Sequence, residues 1–121
     1  MSDHVDQRYS AAMRRLLSDT DTDMSGELRL CIGMLKAATK DMRKPGLTHN
    51  RVSGCAWLAS SAATPWFDYA SIDQRWALEQ FDWTIQAADI LRRLNTELLP
   101  SRPLPESHLR VIAEGLEKLT P

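Results

Sequence analysis

Asp19, Asp21 and Asp23 alternate along the chain as the first oxygen ligands of a calcium loop do. Such a loop also needs a glycine at its sixth position for a sharp turn and a bidentate glutamate at its twelfth. Met24 and Leu30 occupy those positions, so the three carboxylates read as a solvated loop between helices. His4, His49 and His108 fall in three separate segments. None has a second His, Cys, Asp or Glu at a recurring ligand spacing. Cys31 and Cys55 lack metal-type spacing and are too few for a disulfide framework. Each falls on the apolar side of an expected helix, where a free cysteine packs as a small hydrophobe. Ser53-Gly54-Cys55 and Ser60-Ser61 offer hydroxyl and thiol nucleophiles, but inside a helical pattern rather than on a strained strand-to-helix turn. The expectation is a non-enzymatic protein with no metal and no cofactor.

Two sets of residues suit binding instead. Lys36, Lys40, Arg43 and Lys44 recur at helical spacing, and Arg51 follows after a Pro45-Gly46 turn. Residues 28–51 hold six Lys or Arg against one acid, a local net charge of +5 in a chain of net charge −1. Contacts from such a patch to phosphates would weaken steeply with salt, and an acidic protein face would suit it equally. Residues 64–89 are the reverse, with Arg75 against five acids. A helix-turn-helix placed over residues 51–83 would therefore drive an acidic recognition helix into the phosphate backbone, which would repel it. If the chain binds DNA, the helix before Pro45 does so, as a symmetric dimer.

The four tryptophans all lie between Arg51 and Leu99. Trp76 and Trp83, seven residues apart, would share a buried face if the helix runs through both without a break. Trp57 lies two residues from Cys55, on the opposite side of its helix from the apolar stripe, and Trp66 follows a proline. Buried indoles at interfaces are frequent hot spots. Trp57 and Trp66, with Asp68 and Asp73 nearby, are the expected partner-binding residues.

The elements that position these groups are helical throughout. Apolar residues recur at three- and four-residue spacing, and no segment alternates with period two. Tyr9, Met13, Leu16 and Leu17 mark a short first helix. Leu28, Cys31, Ile32, Leu35 and Met42 share one side of a second, which stops before Pro45. Thr48 caps a third, with Val52, Cys55, Leu58, Ala59 and Ala62 inward and Pro65 ending it. The small Gly54, Ala56, Ser60 and Ala63 would let a neighbouring helix approach closely. Trp66 to Ala70 forms one turn. Ser71-Ile-Asp-Gln74 reads as a capping box, opening a run to Leu99 that restarts at Asp82 with Ala87, Ile90, Leu91, Leu94 and Leu98 as its stripe. The proline-rich segment from Leu99 to Pro105, including Arg102-Pro-Leu-Pro105, is a rigid linker rather than a ligand for an aromatic groove. Pro105 opens a last helix with Leu109, Ile112, Ala113, Leu116 and Leu119 inward. The expected fold is all-α: a compact bundle of five or six helices, with residues 1–121 as a single domain.

With 43% hydrophobic and 26% charged residues, the composition is that of an ordinary globular protein. No apolar stretch reaches membrane-spanning length, and the polar, acidic start differs from a secretory leader. A cytoplasmic location follows as the expectation.

The order Arg51-x5-Trp57-Leu58-x-Ser60, then Trp66-Phe67-x-Tyr69, then Ile72-Asp73 leading into Leu78 resembles the layout of small helical proteins encoded by bacteriophages and prophages. It covers about 30 of the 121 residues. The resemblance implies a mobile-element origin, and it carries over no functional residue. Together these signals predict a macromolecule-binding protein that works by protein–protein contact, such as a phage-type inhibitor of host defence or an adaptor. The alternative is a DNA-binding transcriptional regulator using the basic helix.

Overall fold

The computed structural model describes residues 26–96 and 104–120. Six helices and no strands occur among them: α1 (Gly26–Met42), α2 (His49–Ala59), α3 (Thr64–Tyr69), α4 (Gln74–Gln80), α5 (Trp83–Thr96) and α6 (Glu106–Leu119). The expected helix at Tyr9–Leu17, the aspartates at 19, 21 and 23, His4, Leu98 and most of the proline-rich linker lie outside the described residues. The helices form one all-α bundle around a single core.

The α1–α2 hairpin is the centre of the bundle. Cys31, Ile32, Leu35, Ala38, Thr39 and Met42 are the buried side of α1. Their three- and four-residue spacing is what turns one face of a helix to the core. The chain reverses at Pro45-Gly46, where Gly46 takes φ +80°, a conformation natural to glycine. Thr48 then caps α2, its Oγ1 accepting the Arg51 backbone N–H at 3.1 Å. The two helices approach most closely at Gly54, where an added Cβ would stand 2.7 Å from the Ala38 carbonyl oxygen and 3.3 Å from the Met42 nitrogen. Trp83 joins the other half. Its ring is fully buried, and its indole N–H donates to the Cys55 carbonyl at 2.8 Å. A Cβ on Gly115 of α6 would meet the same ring at 2.6 Å. One side chain thus ties α2, α5 and α6 together.

Several expected boundaries shift for identifiable reasons. α2 ends at Ala59, not at Pro65, because both the backbone N–H and the hydroxyl of Ser60 turn back onto the Trp57 carbonyl, at 3.0 and 2.7 Å. Serine competes for backbone acceptors in this way and favours helix ends. Ala62 is consequently exposed. Pro65 sits in the first turn of α3 and opens it, since a first-turn residue loses no helical hydrogen bond through a missing N–H. The Ser71–Gln74 capping box does not form. Ser71 adopts φ 59°, and Asp73 is the cap, accepting the Trp76 N–H at 2.8 Å. The Gln74 amide is used elsewhere: it donates to the Leu58 and Ser60 carbonyls at 2.9 and 3.1 Å and accepts from the Thr64 hydroxyl at 2.7 Å. The restart at Asp82 is present, with Asp82 at φ 57° between α4 and α5. That break separates Trp76 from Trp83. Only Trp83 is fully buried, while Trp76 packs against the core from its edge. Ala113, expected inward on α6, is exposed.

Because the atoms facing Gly54 are backbone atoms of Ala38 and Met42 and the Cβ of Asp41, none can rotate away. Gly54→Ala is expected to push α1 and α2 apart and lower stability by about 1–3 kcal/mol, the usual cost of overpacking. Urea denaturation checks this, and an unchanged midpoint would show that the helices can separate freely.

Candidate functional site

The expected basic patch divides once its partners are traced. Arg51 is not part of any surface. It is 4% exposed, and its Nε and Nη1 donate to the Met42 and Gly46 carbonyls at 3.0 and 2.9 Å. Its Nη2 donates to Gln86 Oε1 at 2.8 Å and lies 2.9 Å from Asp89 Oδ2. The last carbonyls of a helix lack partners within it, and a cation there complements the helix dipole. Placed just after the turn, Arg51 closes the end of α1 and couples it to α5. Arg43 is exposed, but it donates through Nη2 to the Phe81 carbonyl at 3.0 Å. Lys44 pairs with Asp41 at 2.9 Å. Lys36 is half-buried and Lys40 is exposed. The patch is therefore a row along α1, with its C-terminal part engaged in the fold.

Asp89 is the counter-charge for three arginines, its oxygens lying 2.6 Å from Arg92 Nη2, 2.8 Å from Arg93 Nε and 2.9 Å from Arg51 Nη2. Hydrogen bonds from Arg92, Arg93 and Arg51 hold its carboxyl well below the usual carboxylate range. Burial pushes the Cys55 thiol up to about 12, with Arg51 opposing. Cys55 and Cys31 are both buried and free, as expected of structural cysteines, and a neutral buried thiol is a poor nucleophile. Among the described residues no group of three His, Cys, Asp or Glu converges as a metal site would require. No described helix is long and apolar enough to cross a membrane.

The two expected partner-binding tryptophans are brought together. Trp57 and Trp66 meet edge to face, with centroids 6.3 Å apart and planes inclined by 60°. Both are half-buried and pack against the core from outside. Trp57 does not stand free of the bundle; its ring is one wall of a groove. Asp68 is exposed on α3, and Asp73 is exposed but partly committed to capping α4.

That groove, of about 330 Å³, lies where α1, α2 and α6 meet. Met34, Ala37 and Ala38 line it from α1, Ser53, Gly54 and Trp57 from α2, and His108 from α6, with Asp41 at its edge. It opens onto a surface that sequence reading passed over. Leu30, Gly33, Met34 and Ala37 are all exposed, and their spacing of three, four and seven residues puts them on one face. Leu30 is 60% exposed and Met34 39%. α1 thus carries a second apolar stripe, facing away from the core. The signal was present in the spacing, but the stronger buried stripe beginning at Cys31 obscured it. Beside this face run Arg29, Lys36 and Lys40, at intervals of seven and four. At the groove itself, His108 Nδ1 is buried with no hydrogen-bond partner, the one such side-chain atom among the described residues. Buried polar atoms left unpaired cost about 1–3 kcal/mol and are uncommon enough in native proteins to need a reason.

Comparison with known proteins returned no matching family model, no similar curated protein and no similar solved structure.

Two outcomes follow from the charge network. Arg51→Met leaves the Met42 and Gly46 carbonyls and Asp89 without their buried partner, and is expected to cost about 3–5 kcal/mol in thermal or urea unfolding. A surface cation would cost almost nothing. Because the Asp89 carboxyl is lowered by folding, its stabilisation is complete above the unfolded value of about 3.9 and is lost as pH falls below it. Asp89→Asn should therefore flatten the loss of stability between neutral and acid pH. Parallel pH profiles for the two proteins would contradict this assignment.

Proposed function

We propose that this chain is a non-enzymatic binding protein that receives an amphipathic helix of another protein on the outer face of α1 and in the adjoining Trp57 groove. The observation that carries this reading is the exposed Leu30–Gly33–Met34–Ala37 stripe, continuous with a groove walled by Met34 and Trp57. Exposed apolar residues scattered singly are normal on protein surfaces, whereas contiguous ones mark interaction sites. A groove between helices suits a partner helix whose apolar side chains recur at three- and four-residue spacing. Methionine adapts its shape to such an occupant, and the half-buried Trp57 ring provides the rigid aromatic wall usual at interface hot spots. The unpaired His108 Nδ1 supports the same location, because departures from full polar satisfaction concentrate at functional sites.

Charge supplies the orientation. Lys40 stands exposed beside the stripe, and Arg29 and Lys36, which already hold interactions of their own, lie on the same side, so the complementary partner helix is acidic along its matching edge. An inhibitor or adaptor of the kind that the phage-like layout implies would act by occupying its target in this way. The DNA-binding alternative would use the same lysines, but Arg51 is unavailable to it and Lys44 is paired.

The decisive variant is Leu30→Glu/Met34→Glu, which changes two exposed side chains and should leave the unfolding midpoint nearly unchanged. In pull-downs from a bacterial lysate, proteins retained by the parent chain are expected to be lost with this variant and weakened, but not lost, with Lys40→Glu/Arg43→Glu. Trp57→Ala should weaken the same capture by about 2 kcal/mol, an interface hot-spot effect. The proposal fails if the glutamate variant captures the same set. It also fails if nuclease treatment abolishes capture, which would assign the surface to nucleic acid. Concentration-dependent self-association that the glutamates remove would instead give the face to a second copy of the chain.

A further inference from the structure

We infer a second, independent binding site between α2, α4 and α6, suited to an acidic peptide segment that carries an apolar side chain. A groove of about 330 Å³ lies there, beside Ala59 at the C-terminal end of α2. Ala59, Leu78 and Leu119 supply its apolar lining, and Gly115 contributes bare backbone. Its polar rim is Gln74, Arg75 and Lys118. The Gln74 amide is already spent on the Leu58 and Ser60 carbonyls and the Thr64 hydroxyl. Arg75 and Lys118 differ. Both are exposed, and neither has an ion-pair partner among the described residues. Glu79 and Glu114 stand four residues from them on their own helices, yet neither pairs with them nor lines the groove.

Two unneutralised cations over an apolar floor define the occupant's chemistry: carboxylates on either side of a hydrophobic group. The groove is open to solvent. A small amphiphile needs a site that buries most of its surface, which an open groove does not provide for an acyl chain. A side chain projecting from a peptide backbone needs only the floor, with its neighbouring carboxylates reaching the rim. Duplex nucleic acid offers the charge but no apolar group for Leu78 and Leu119.

The test uses a short fluorescein-labelled peptide with a leucine between two glutamates, followed by fluorescence anisotropy on the full chain. Binding is expected, and it should weaken as salt screens the rim charges. Arg75→Glu/Lys118→Glu reverses two exposed charges and should weaken binding about tenfold, the sum of several exposed ion-pair effects. Replacing the peptide's glutamates with glutamines should weaken it similarly. Met34→Glu, which lines the other groove and not this one, should leave affinity unchanged. The inference is overturned if the parent chain does not bind, if the charge-reversed variant binds equally, or if Met34→Glu removes binding. More effective competition by sodium decanoate or by duplex DNA than by unlabelled peptide would overturn it as well. Circular dichroism and the unfolding midpoint of each variant separate a lost site from a lost fold.

Discussion

The bundle depends on a guanidinium buried where a helix ends. α1 stops beside a turn, where the carbonyls of the buried Met42 and of Gly46 face the Arg51 guanidinium. Arg51 supplies the missing donors and, through Gln86 and Asp89, fixes the position of α5 against the α1–α2 hairpin. A buried cation is costly unless it is paired and fully hydrogen-bonded. The arrangement therefore accepts few alternatives. Small displacements of α1 or α5 would strand either a charge or a carbonyl, so this cluster acts as a register pin. The apolar core supplies most of the stabilisation, and Arg51 selects which packing of that core is the native one.

This constraint also explains why α1 can carry apolar side chains on two faces. A helix held only by hydrophobic contact, with Leu30 and Met34 on one side and Ile32 and Leu35 on the other, would have two rotational settings of comparable burial. Gly54 permits close approach on one side only, and Arg51 fixes the helix end. With rotation suppressed, the outer stripe remains exposed. Met34 and Ala37 of that stripe also line the groove beside Trp57.

The all-helical class, the Pro45-Gly46 turn, the Thr48 cap and the buried stripe of α1 were legible in the sequence because each depends on local spacing or local backbone chemistry. So was the close approach at Gly54, which small residues within a helix imply. Arg51 was misread as a surface cation. Nothing in its neighbours along the chain signals burial, since its partners Gln86 and Asp89 are more than thirty residues away. The Ser71 capping box failed for a similar reason. Gln74 had long-range acceptors at Leu58 and Ser60 that a local motif cannot include, and Asp73 offered a competing carboxylate two residues closer to the helix. Phe67 and Phe81 are fully buried, yet short helices give too few repeats for a periodicity to identify their inner face. Trp57 lay between the two expected states, half against the core and half along a groove, which a two-sided helical wheel does not represent.

The joint between Trp83 and Gly115 has a kinetic consequence. α1 and α2 are neighbours in sequence and can close a hairpin through a short loop, whereas α6 meets α2 across about fifty intervening positions. Closing the longer loop carries a larger entropic penalty, and contacts distant in sequence form slowly. The Trp83 indole acquires its last wall only when Gly115 arrives. Its emission is therefore a built-in clock for the final docking event, distinct from the three rings that keep an edge in water.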